Sequence, residues 1–142
     1  MIFGRILAAT DGSEVALRAV ELAARLAARE GAELVVTTVV PVPTHIALAG
    51  NLNPRVLHNY VEKLGKGYLA PALEVLAKHK VGSEIKILMG PPAEAITTEV
   101  EALSPDLVVI GRGSRLEPGS FLLGSVSSRV AQHARAPVLL VP

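Results

Sequence analysis

The sequence predicts one α/β domain: a doubly wound, five-stranded parallel sheet with strand order 3-2-1-4-5. Three observations carry this. Five short apolar runs alternate with four segments of helical spacing, and such alternation implies parallel strands with helices on both faces. The third run, SEIKILM, alternates polar and apolar residues as an edge strand does, whereas the first, second and fourth are nearly continuously apolar, as doubly covered strands are. The turns after the first and fourth runs are polar, and they fall where the winding direction of this strand order reverses.

Residues 2–9 (IFGRILAA) read as a buried strand, interrupted by Gly4 and Arg5 and stopped at Thr10-Asp11-Gly12-Ser13. Ser13 or Asp11 is an N-cap for the helix that follows, and Asp11 with Glu14 has capping-box spacing. Val15, Ala19, Leu22, Ala23 and Leu26 share one face of that helix, Glu14–Arg18 and Glu21–Arg25 pair on the other, and Gly31 ends it. Residues 34–40 (LVVTTVV) form the second strand, closed by Pro41 and Pro43, with a mobile loop expected from there to Asn53. Asn53-Pro54 opens a long helical stripe, within which Gly65, Gly67 and Pro71 predict a kink or a break. Ser83–Met89 is the third strand, and Gly90-Pro91-Pro92 turns it into a helix with Ala93, Ile96, Val100 and Leu103 inward. Residues 107–110 form the fourth strand, Val126, Val130 and Ala134 face inward on the last helix, and Val138–Val141 is the final strand.

Composition narrows the function. The chain has 142 residues and is 50% hydrophobic, enough for one sizeable core. Two Phe, two Tyr and no Trp make that core aliphatic and argue against stacking on single-stranded nucleic acid. A net charge of +1 without a basic run lacks the electrostatic footprint of DNA or membrane-surface binding. Cysteine is absent, which excludes disulfides and thiolate chemistry. No signal peptide precedes the first strand and no apolar run spans a membrane, so a cytoplasmic protein is expected.

The stretch LVVIGRGSRLEPGSFLLGSVSSRV, residues 107–130, is the candidate site. A strand turns through glycines into a serine-started helix. Glycines let backbone N–H groups approach a ligand, and a helix start offers unpaired donors at the positive end of its dipole. Together with Thr10-Asp11-Gly12 across the crevice, this predicts a grip on the phosphates of a nucleotide, with Val39 as an apolar wall for a flat ring. Each letter also has a plainer reading: Asp11 and the serines as caps, the glycines as turn formers, Arg112 and Arg115 as solvated charges, His133 and Arg135 as complements of a helix dipole. Other signatures fail: ATDGSE has one glycine where a dinucleotide fingerprint needs three, Ser125 replaces the P-loop lysine, and Met89 stands where a receiver needs Asp. His45, His58, His79 and His133 have no metal-like spacing, and no nucleophile–base pair is visible.

These residues resemble the universal stress protein family, whose signature is G-x2-G-x9-G-(S/T) after the fourth strand with an Asp after the first. Gly111 and Gly124-Ser125-Val126 match it, and ILAATDGSE, MGPPAEAI and HARAPVLLV are similar to the family's strand exits and closing strand. The likeness covers residues 1–142 and implies an adenine nucleotide alpha hydrolase-like fold that binds ATP or a related adenine nucleotide as a stress-response or signalling module, without catalysis. It implies a site of Ala9, Thr10, Asp11, Val39, Gly111, Arg112, Gly113, Ser114, Gly124, Ser125, Val126 and Ser127. Asp11 would bond the ribose, flanked at the adenosine by Ala9, Thr10 and Val39, while the glycine loop and helix start hold the triphosphate. Mg or Mn would ride on the phosphates with no protein ligand, and a homodimer would form through Val138–Val141. One position departs: the family's second glycine falls on Ser114, one residue after Gly113. Either Gly113 supplies the backbone freedom or Ser114 narrows the loop, leaving a non-binding dimeric scaffold. A slow nucleotide hydrolase is the remaining alternative, with His45 and His58 as its least implausible bases.

Overall fold

In the computed structural model, which describes residues 2–42, 53–113 and 123–142, every apolar run is a strand and every helical stripe a helix. The order is β1 (Arg5–Ala9), α1 (Glu14–Glu30), β2 (Glu33–Val40), α2 (Pro54–His79), β3 (Ser83–Met89), α3 (Pro92–Leu103), β4 (Leu107–Gly111), α4 (Ser125–His133) and β5 (Val138–Val141). The loop expected after β2 lies mostly outside the described residues. All strand pairs are parallel, in the order β3-β2-β1-β4-β5, so β3 and β5 are the edges.

Alternation along the strands sorts the core into two layers. Ile6, Ala8, Leu34, Val36 and Val109 pack under α1 and α2; Leu7, Val35, Val108 and Ile110 pack under α3 and α4. The first layer differs from the expected helix face. The fully or nearly buried residues of α1 are Ala16, Ala19, Val20, Ala23, Ala24 and Ala27, while Leu22 and Leu26 are only partly buried at the margin. Alanines at the contact let the helix backbone sit close to the sheet. Gly31 ends α1 in the left-handed conformation, at φ 66°.

Three local expectations are corrected. β1 begins at Arg5, not residue 2, because the N–H groups of Gly4 and Arg5 donate to Asp106 Oδ2 at 2.8 and 2.9 Å and turn the chain there. The helix pairs Glu14–Arg18 and Glu21–Arg25 give way to tertiary partners: Arg18 Nε donates to the Pro142 carbonyl at 2.9 Å and Glu21 meets His79 Nε2 at 3.0 Å. And α2 runs unbroken through Gly65, Gly67 and Pro71. Gly65 is a close-packing residue: a Cβ there would fall 2.5 Å from Ile87 Cγ2 on β3. Burial of Val61, Leu69, Ala72 and Leu76 along the same helix offsets the hydrogen bond that Pro71 removes. On the other layer, Lys86 of β3 donates to Glu99 of α3 at 2.8 Å, and that bond raises the Lys86 pKa above its ordinary value.

Candidate functional site

The exits of β1 and β4 both open into one cleft of about 530 Å³, within the usual size range of small-ligand pockets. The β1 exit is wired tightly. Thr10 N–H donates to the Thr37 carbonyl at 2.9 Å, and Thr38 Oγ1 donates to the Thr10 carbonyl at 2.6 Å. Gly12 N–H donates to Thr10 Oγ1 at 3.0 Å and Ser13 N–H to Asp11 Oδ1 at 2.9 Å. Ser13, not Asp11, caps α1, accepting from Ala16 N–H at 3.3 Å. Asp11 is therefore free of the capping role, and its Oδ2 accepts nothing among the described residues. Gly12 is required twice over: its φ is +86°, and the Tyr68 carbonyl of α2 lies 3.1 Å from where a Cβ would stand.

The β4 exit is a neck. Arg112 N–H donates to the Val141 carbonyl at 2.9 Å, extending the β4–β5 ladder, and the Arg112 carbonyl accepts from Gly124 N–H at 2.8 Å. Gly113 holds φ +145°, a conformation suited to glycine. Gly124 then starts α4 with no side-chain cap. The N–H groups of Ser125, Val126 and Ser127 have no partner among the described residues, at the positive end of the helix dipole.

Ala9, Thr10, Asp11, Val39, Gly111, Gly113, Gly124, Ser125, Val126 and Ser127 all line this cleft. Arg112 does not line it; its backbone closes the neck instead. Ser114, Arg115 and His45 lie outside the described residues. His58, on the first turns of α2, is exposed and away from the cleft lining. Two glycines carry a packing duty that spacing alone does not reveal. A Cβ on Gly111 would fall 2.5 Å from Val15 Cγ1 and 3.1 Å from the Val15 carbonyl carbon, so this glycine lets the start of α1 pass over β4. A Cβ on Gly124 would fall 3.0 Å from Gly113 Cα. A branched side chain at position 124 would therefore press on the neck itself.

Sequence reasoning missed Tyr68, Pro41, Pro92, Ile96 and Ile110 on the cleft wall. Pro92 and Ile96 carried a signal, since the Gly90-Pro91-Pro92 turn ends β3 beside the crevice. Tyr68 carried none, because only the crossing of α2 over the Gly12 turn brings it there. Among the described residues no group of three or more His, Asp or Glu side chains could hold a metal ion, and no helix is long and apolar enough to cross a membrane.

A doubly wound parallel sheet whose central strand exits open into one polar cleft, with an acidic turn facing a glycine neck and a helix start, defines an open α/β protein of the 3-2-1-4-5 order. The family model of the universal stress protein family matches residues 3–142, and the chain belongs to that family. A universal stress protein of Thermus aquaticus is 37% identical over 142 residues, covering 99% of each chain. Among solved structures, a universal stress protein in complex with cAMP superposes with a TM-score of 0.76 at 24% identity, covering 100% of this chain and 99% of that one. The universal stress protein of Archaeoglobus fulgidus in complex with dAMP does so with a TM-score of 0.71 at 23% identity, covering 100% of each.

Proposed function

We propose that this chain binds an adenine nucleotide, ATP among them, in the cleft between the β1 and β4 exits, and works as a stress-response or signalling module by binding rather than turnover. One observation carries the reading: three N–H groups at the α4 start and one carboxylate oxygen of Asp11, all without partners among the described residues, border the same cleft. Amides at a helix start suit phosphate, and a carboxylate suits sugar hydroxyls. Ala9, Val39 and Ile96 supply an apolar wall for the base. The cAMP and dAMP complexes of the two structural relatives support the ligand class.

Among the described residues no cluster could hold a divalent ion, and Asp11 is the one carboxylate on the cleft lining. Mg or Mn would be held by the phosphates and solvent, and nothing in the proposal routes through it. The same reading places the protein in the cytoplasm as a homodimer. β5 is an edge strand whose Leu139 is exposed, and such an edge is covered most simply by a second copy.

The test is thermal unfolding with and without Mg-ATP, ADP, AMP and cAMP, on the wild type and on Asp11→Ala. A nucleotide at 100 times its Kd adds about 2.7 kcal/mol of stability. The expected result is a raised Tm in the wild type and a smaller rise in Asp11→Ala. No shift with any of the four at millimolar concentration refutes the proposal and leaves the dimeric scaffold.

A further inference from the structure

Ser127 stands on the third residue of α4, where a Glu or Gln side chain can turn back to cap its own helix. It does otherwise. Its hydroxyl donates to the Gly111 carbonyl at 2.6 Å, across 16 residues of chain, and the residue is 5% exposed. A hydroxyl has one proton, so one already given to Gly111 is not available to a phosphate oxygen. What this bond does is geometric. It fastens the first turn of α4 to the end of β4, while Gly124 N–H fastens the start of the same turn to the Arg112 carbonyl at 2.8 Å. Gly113 and Gly124 meet between these two bonds, where a Cβ on Gly124 would stand only 3.0 Å from Gly113 Cα. The N–H groups of Ser125, Val126 and Ser127, which have no partner among the described residues, are thus held at a set distance from the Gly113 backbone.

We infer that Ser127 is a positioning residue of the anion end of the cleft: its bond to Gly111 sets the spacing of the phosphate-facing amides, and with it the gain in affinity that phosphates bring. This rests on the nucleotide reading of the cleft. Preorganised donors bind tightly because their ordering cost is met before the ligand arrives. A turn released from β4 keeps its N–H groups but loses their alignment.

The experiment is calorimetric titration of the full chain with Mg-ATP and with adenosine, for the wild type, Ser127→Ala, Ser127→Thr and Ser127→Cys. Ser127→Ala should weaken ATP about tenfold, the worth of one buried hydrogen bond, and change adenosine affinity less than twofold. Ser127→Thr keeps the donor and should restore ATP binding. Ser127→Cys keeps the shape with a weaker donor and should fall between, which secures the comparison should the alanine variant not fold. Three results would overturn the inference: ATP affinity unchanged in Ser127→Ala, ATP and adenosine weakened alike, or no restoration by threonine in a folded protein. Failure of the nucleotide reading itself looks different, because the wild type then binds neither ligand.

Discussion

Thr37 sits in the middle of β2, wholly buried between Ala9 on β1 and Lys86 on β3, and its Oγ1 has no hydrogen-bond partner among the described residues. Its neighbour Thr38, on the opposite face, has one in the Thr10 carbonyl. The two threonines look alike in LVVTTVV and differ entirely in duty: Thr38 ties the β1 exit, and Thr37 carries an unsatisfied hydroxyl into an apolar layer. Leaving such a group buried costs about 1–3 kcal/mol, and valine matches the shape. Thr37→Val should therefore raise stability by about 1 kcal/mol, read from the denaturant midpoint at unchanged slope. A lower midpoint would mean that the hydroxyl has a partner in solution. Thr38→Val should go the other way, since it strands the Thr10 carbonyl.

Glycines within one helix separate just as sharply at the scale of the element. Gly65 and Gly67 are both inside α2, and alanine at either is favoured by helix propensity by about 1 kcal/mol. Tertiary contact decides the sign. At Gly67 a Cβ meets nothing within 4 Å, so Gly67→Ala should stabilise the protein by up to about 1 kcal/mol. At Gly65 the same atom would strike Ile87 at 2.5 Å, and Gly65→Ala should destabilise by about 1–3 kcal/mol as an overpacked contact. Equilibrium unfolding of the two variants checks this, and equal effects of the same sign would refute the docking of α2 on β3. The same contact explains why a helix holding Pro71 does not break: α2 is held by what it packs against.

The whole molecule is organised by which strands lie inside the sheet. β1 and β4 are central, so their exits meet; β3 and β5 are edges, so their outer faces need management. β3 answers with Ser83, Glu84 and Lys86 along its length, charges and hydroxyls that discourage pairing. β5 reads VLLV and has no such defence. A homodimer through β5 should show as a two-chain mass in sedimentation at micromolar concentration, and Leu139→Lys should shift it to one chain. Nucleotide affinity should persist in the monomer, because no cleft-lining residue lies on β5. A mass of one chain for the wild type would exclude this assembly.

The sequence alone determined the strand order, the five strands within a few residues, the crevice and most of its lining, down to Asp11, Val39 and the Gly124–Ser127 turn. Those features are local or periodic: apolar alternation, capping letters and glycine turns act over a few residues, so their spacing can be read directly. Only the tertiary structure decided that Gly111 makes way for Val15, that Gly65 makes way for Ile87, that Glu21 meets His79 and not Arg25, that Tyr68 walls the cleft, and that the Ser127 hydroxyl belongs to Gly111. Each of these joins elements far apart in the chain. Which surfaces meet is set by how two layers of helices settle on one twisted sheet, and no short pattern of residues carries that information.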